Sequence, residues 1–398
     1  MIKSLATAGI VLACVQPFSA VADCDPQFTQ YGVNGFGNPY NRYAWSVAVF
    51  NDQLYVGIQN EATGGQIWRT DAQGHQRPVV TGGFGNPNNI GPRSMEVCLG
   101  KMWAGTDNVT DGAELWNSTD GQTWTPVLTG GAGIAPTVRS ARALYCAHFN
   151  DVEYLYVGLQ DQSTNGKIIR SRDGLTFQTV INSGFGLSGN TSIHAFKEFN
   201  GQLYAGTLND STGQQIWRTT DGRNFENVVG PLAQTPGGFG HEQSGSTTDF
   251  EVFNGQLYVG NINAFGGFGV YTTPDGVNWT KIGEDGFGFR GNDYAWDFIV
   301  YENALWLGTL NNLAFFQPGQ LGAGLWRTFD GTNWEEMVGS QDATYLPWGF
   351  GDPYNMGVRT LIEYHGKLYI GTAQDPRPFV DREGFELWVW PGEACPAN

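Results

Sequence analysis

Seven short segments of one kind recur along this chain: QLYVGI at 53, KMWAGT at 101, YLYVGL at 154, QLYAGT at 202, QLYVGN at 256, ALWLGT at 304 and KLYIGT at 367. Each alternates in the period-two manner of a strand, and the spacing of about fifty residues is that of one four-stranded sheet with its turns. The stretch 184–229 holds a whole unit: a strand ending at Phe199, a tight turn at Asn200-Gly201, the strand QLYAGT, a loop, the strand QIWRT, the turn TDGRN and the strand FENVV. Repeated sheets of this size bury their faces against one another around an axis. The expectation is an all-β fold, a seven-bladed β-propeller of four-stranded antiparallel blades, in one domain over 23–398.

The ends of the chain bear on closure. The seventh unit passes from FELWVW into PGEACPAN and lacks an outer strand, while CDPQFTQYGVNGFG near the start aligns with the outer strands of other units. Residues 27–32 are therefore expected to complete the last blade and close the ring. That places Cys24 and Cys395 across the broken turn, where a disulfide would staple the closure. Cys98 and Cys146 fall on the inner strands of the second and third units with opposite parity, so they point at each other, as a second bridge or as two buried thiols.

Composition narrows the partners. The 57 glycines and the 14% aromatic content suit turns and strands. A net charge of -17 repels a phosphate backbone, which excludes nucleic acid. No later stretch approaches the roughly 20 apolar residues of a membrane span. A monomer that binds carbohydrate or a small molecule is the expectation. Residues 1–22 read as a secretory signal cut before Asp23, giving a secreted or periplasmic protein; VLAC ending at Cys14 is a lipid-attachment box and the minor alternative.

The turns STDGQTW at 118, SRDGLTF at 171, TTDGRNF at 219, TPDGVNW at 273 and TFDGTNW at 328 resemble the Asp-box, or BNR, repeats of sialidase-like propellers, over nearly the whole mature chain. They are one residue shorter between Asp and aromatic than the strict box, and the first unit carries only TDAQGHQ. The resemblance implies a structural turn, the Asp capping backbone amides and the aromatic packing into the blade. Asp-Gly is hairpin chemistry on its own account. Asp120, Asp173, Asp221, Asp275 and Asp330 are thus scaffold.

Chemistry is expected at the other end of the sheets, where GFG…N loops lead into the inner strands. The strand heads give one column of Trp45, Arg93, Leu144 (with Arg142 two earlier), His194, Thr248, Trp296 and Arg359, and a next one of Ser46, Ser94, Tyr145, Ala195, Asp249, Asp297 and Thr360. Consecutive around the ring, NDYAW, NMGVR, NRYAW and NIGPR alternate an aromatic pair with an arginine, an alternation that packing alone does not require. Tyr43 with Trp45 and Tyr294 with Trp296 offer flat faces to sugars, and Arg93 and Arg359 a fork for carboxylate or sulfate. Long loops place Phe315, Phe316, Arg377 and Phe379 over the same funnel. Asn60, Asn108, Asn209, Asn263 and Asn311 read as turn residues, with carbonyls that also suit Ca²⁺.

Five scattered histidines have no metal-ligand spacing, so no protein metal centre is expected. Three readings follow: a binder of acidic or aromatic-stacking carbohydrate; a sialidase-like glycoside hydrolase; or a lyase acting on uronate polymers. Sialidases of the resembled family use an arginine triad, which Arg93, Arg142 and Arg359 imitate, but their Arg-Ile-Pro segment is missing here. Asp249 and Asp297 are the carboxylates a hydrolase would need, and His194, Tyr145, Tyr43 or Tyr294 the base a lyase would need. Binding ranks first.

Overall fold

The structure is a computed structural model and describes residues 26–311, 322–375 and 383–392. Among the described residues it is all-β and antiparallel apart from a short parallel pairing of Glu335–Gly339 with Leu346–Pro347 and a parallel bridge between Val229 and Thr235, with short 3-10 turns between strands. The first antiparallel group is Tyr43–Phe50, Gln53–Gln59, Gln66–Thr70 and Gln76–Val80, each strand paired to the next. The same order repeats behind the inner strands Gly91–Cys98, Val138–Phe149, Ser192–Phe199, Ser246–Phe253, Asn292–Tyr301 and Asn355–Tyr364. In the seventh group Thr29 pairs with Val389 and Gln30 with Trp388, so a strand from residues 27–32 does lie against the last one.

Successive groups meet by one device. The glycine of each second strand has no room for a side chain, because the next inner strand crosses there: Gly105 faces Ala141, Gly260 faces Ala295, and a Cβ on Gly371 would lie 2.5 Å from Ala44. A single residue pair then bridges second strand to next inner strand, as in Gln160 with Ser192, Leu208 with Ser246 and Ala373 with Tyr43. The last group thereby touches the first in the manner of the others.

The GFG loops are held tightly. Phe36, Phe84, Phe185, Phe239, Phe287 and Phe350 take positive φ, a conformation that costs a side-chain-bearing residue about 1 kcal/mol or more. Stacking offsets it: Phe36 lies on Trp68, Phe84 on Trp116, Phe185 on Trp217 and Phe239 on Tyr271, with centroids 3.7 to 4.7 Å apart. In five of these six loops a following Asn closes the turn, as Asn41 Nδ2 does by donating to the Gly35 carbonyl at 2.9 Å; the Phe239 loop has Ser244 in that place. Asn60, Asn108, Asn209 and Asn263 cap their turns through Oδ1, as read from sequence.

At the opposite end, Asp120 Oδ1 accepts from the amides of Gln122 and Thr123, and Asp173, Asp221, Asp275 and Asp330 do the same two and three residues on. These bonds pull the Asp120 and Asp173 carboxyls down to about 2. Cys98 and Cys146 form a disulfide between neighbouring inner strands, with Cα atoms 5.3 Å apart. Cys24 and Cys395 lie outside the described residues, as does the N-terminal segment 1–22. No helix among the described residues is long and apolar enough to cross a membrane.

Candidate functional site

The inner strands surround a channel that widens into a cavity of about 750 Å³ at the GFG end. Of the residues singled out by sequence, Tyr43, Trp45, Arg93, Arg142, His194, Tyr294 and Trp296 line it. A lower cavity of about 310 Å³ continues the channel and shares Trp45, Arg93, Arg142, His194 and Trp296 with the upper one, adding Arg359, Tyr145, Asp249 and Asp297. Phe315, Phe316, Arg377 and Phe379 fall outside the described residues.

The alternation of aromatics and arginines has a packing cause that the sequence reading missed. Trp45 lies against Gly91 of the next inner strand, where a Cβ would come within 2.6 Å of the indole, and the Arg93 guanidinium sits 4.3 Å from the same ring. Trp296 lies against Gly357 in the same way, with Arg359 5.1 Å above it. The words NxYAW and NxGxR are thus one unit written across two strands: an indole, the glycine that admits it, and the cation that covers it. Both tryptophans are 6% exposed, so they are walls rather than open platforms. Tyr43 and Tyr294 are half-buried at the cavity surface, each edge-on to Trp296.

Unmatched hydrogen-bond donors converge here. Trp45 Nε1, Arg93 Nε and Arg359 Nε are buried with no acceptor, and His194 Nε2 is buried without a partner. Among the described residues no carboxylate lies within ion-pair distance of Arg93, Arg142 or Arg359. Burial, then the charge of Arg359, brings the Arg142 guanidinium down to about 9, still cationic at neutral pH. Burial and the Arg142 charge hold the His194 imidazole well below its usual range, so it is neutral. Its Nδ1 shares a 2.5 Å hydrogen bond with Ser246 Oγ.

The candidate carboxylates are tied to the wall. Asp249 Oδ2 accepts from the Phe298 amide at 3.0 Å, and Asp297 Oδ2 from the Leu361 amide at 2.6 Å, each on the next inner strand. Burial raises Asp249 to about 6; burial and the neighbouring Asp249 charge raise Asp297 well above the carboxylate range. The hydroxyl of Tyr145 accepts from the Glu198 amide at 3.0 Å. Ser46 and Ser94 tie the same layer by donating to the carbonyls of Pro92 and Ala141.

Three further groups complete the site; of their residues sequence reasoning reaches only Glu96, as a carboxylate that could pair with a strand-head arginine. Glu96, Lys197 and Glu251 form a layer three residues beyond the strand heads, with Lys197 Nζ 2.7 Å from Glu251 Oε1 and Glu96 raised by burial to about 7. Their signal was charge at a fixed step past the column. Arg139, Gln160 and Asp210 join the upper wall from positions that only the assembled ring brings inward. Phe265, 70% exposed at the cavity rim, is a large apolar side chain left in water, which is a signal in itself.

No protein-family model matches the chain, and no curated protein matches its sequence. Solved structures match its fold. The BP39L lectin from Burkholderia pseudomallei is 11% identical with a TM-score of 0.58, over 88% of this chain and 97% of that one. An ancestral GH74 enzyme is 12% identical with a TM-score of 0.57, over 88% of this chain; the match spans 47% of that protein's length. The fold is therefore of the propeller type shared by such lectins and glycosidases, at an identity that speaks to architecture alone.

Proposed function

We propose that the protein is a seven-bladed propeller, its ring closed by the N-terminal strand, that is exported and binds an acidic carbohydrate in the upper cavity. The observation that carries the binding reading is Arg142: a half-buried cation near a second arginine, facing a cavity and lacking a carboxylate partner. A charge that has lost part of its hydration is stabilised by anything that neutralises it. A ligand carboxylate or sulfate would do so, accepting from the Arg142 and Arg93 guanidinium groups that line the upper cavity, while Tyr43 and Tyr294 flank its sugar ring. The lectin and glycosidase folds are consistent with a saccharide and do not identify it.

A glycan array on the mature chain, followed by calorimetry with its best acidic ligand, tests this. Arg142→Met is expected to weaken binding by about tenfold or more, the loss of one charged hydrogen bond. Unchanged affinity in that variant would sink the reading.

An enzyme on the same ligand is the second reading, favoured by the raised Asp297 carboxyl, which would carry a proton for general-acid work beside Asp249. Release of reducing ends, lost in Asp297→Asn, would support hydrolysis. Absorbance near 235 nm, about where an unsaturated uronate absorbs, lost in His194→Ala, would instead support elimination.

A further inference from the structure

The third strands carry a repeated arginine whose partner changes from group to group. In the fourth group Arg218 lies opposite Glu226 on the outer strand and donates from Nε to its Oε1 at 2.5 Å. In the sixth, Arg327 lies opposite Glu335 and donates from Nε to Oε2 at 2.7 Å. The third group places Gln178 at the same register, opposite Arg170, and Gln178 Oε1 already accepts from Nη2 of Arg223 at 3.3 Å.

Arg170 is firmly held all the same. It is 4% exposed, stacks 4.5 Å over Tyr154, and donates from Nη1 to Tyr156 Oη at 2.7 Å and to the Gly222 carbonyl at 3.0 Å. Its buried Nε has no acceptor. Arg69 in the first group shares that state, opposite Arg77. At Arg170, in addition, a cavity of about 310 Å³ opens, lined by Tyr154, Arg170, Arg172, Gln178 and Arg223, with Asp173 and its turn on the rim. Asp173 Oδ1 is engaged by the amides of Leu175 and Thr176. Three guanidinium groups thus surround a space at the Asp-Gly end of the sheet, on a chain whose net charge is -17.

We propose that this cavity binds a small oxyanion, a carboxylate or sulfate group, in the place that the Glu226 and Glu335 carboxylates occupy in the fourth and sixth groups. The anion would pair with the Arg170 guanidinium where it lines the cavity, with Arg172 and Arg223 closing over it from the exposed side. The site is at the far end of the sheets from the channel's upper cavity and does not depend on what that cavity binds.

Calorimetric titration with sodium sulfate, sodium acetate and a free uronic acid at fixed ionic strength tests it, using Arg142→Met protein, in which channel binding is weakened, and reading the part of the signal that responds to changes at Arg172, Arg223 and Gln178. Saturable binding is expected, weakened by about tenfold in the Arg172→Ala, Arg223→Ala double variant, which leaves the buried Arg170 in place. Gln178→Glu installs the missing carboxylate: it should abolish anion binding and raise Tm in the absence of ligand. A uronic acid that binds more tightly than acetate assigns the site to a saccharide; equal binding assigns it to a free anion. No saturable binding, or a Gln178→Glu protein that binds anions as tightly as its parent, overturns the proposal.

Discussion

Arg142 and Glu96 show what single residues contribute to this channel. Half-buried, Arg142 has lost part of its water and gained no anion, so its replacement by an apolar side chain of similar length removes part of a desolvation cost. Arg142→Met is expected to raise stability by about 1 kcal/mol while weakening ligand binding, an opposition that chemical denaturation and calorimetry on the same samples would reveal. Glu96 works through pH. Its folded value of about 7 lies above the unfolded one, so the folded state holds the extra proton. Its contribution is full below about pH 4 and is lost as pH rises through about 7. Glu96→Gln should therefore flatten the fall of Tm between pH 5 and pH 8, roughly the range of that titration.

At the scale of the element, the turns and inner strands answer to different tests. Asp120 and Asp173 titrate at about 2 in the fold, below their unfolded value, so the stability they confer is present above about pH 4 and disappears as pH falls toward 2. Asp120→Asn should lower Tm at neutral pH and reduce its further loss on acidification, as thermal melts at pH 7 and pH 3 would record. The inner strands were legible in part. Their heads stood out because the column varied where scaffold positions such as the second-strand Gly and the Asp-Gly turn stayed alike, and Tyr43, Arg93, Arg142, His194 and Tyr294 do meet in one cavity. The alternation was misread because its cause lies between strands: Gly357 makes no sense within NMGVR and complete sense beneath Trp296. Gly357→Ala puts a methyl 2.8 Å from the indole Cε3 and should cost about 1–3 kcal/mol, with a shift in tryptophan fluorescence. Trp296→Leu should relieve much of that cost in a double-mutant cycle.

For the molecule as a whole, period and turn chemistry determined most of what the sequence revealed, because one unit is written out repeatedly and each copy corrects the reading of the others. What stayed hidden depends on assembly. Arg139, Gln160 and Phe265 come to the cavity from outside the inner-strand column, and no local pattern says which of them faces inward. The Cys98–Cys146 bridge is an assembly feature too, joining neighbouring groups across 48 residues of sequence. Closing a loop of that length stabilises by up to about 4 kcal/mol in the chain-entropy account. Reduction, or the Cys98→Ala, Cys146→Ala pair, is expected to lower the denaturant midpoint accordingly, with little change in ligand affinity because the bridge lies away from the upper cavity.

The pairing of each indole with the following strand's glycine and arginine has a consequence for how such a protein can be rebuilt. A repeat moved alone into another position would bring a tryptophan to a neighbour with no hollow, or leave a hollow with nothing to fill it. Transplanting the sixth and seventh groups together, or the first and second, keeps both halves of the joint. The smallest portable piece of this channel wall is a pair of repeats.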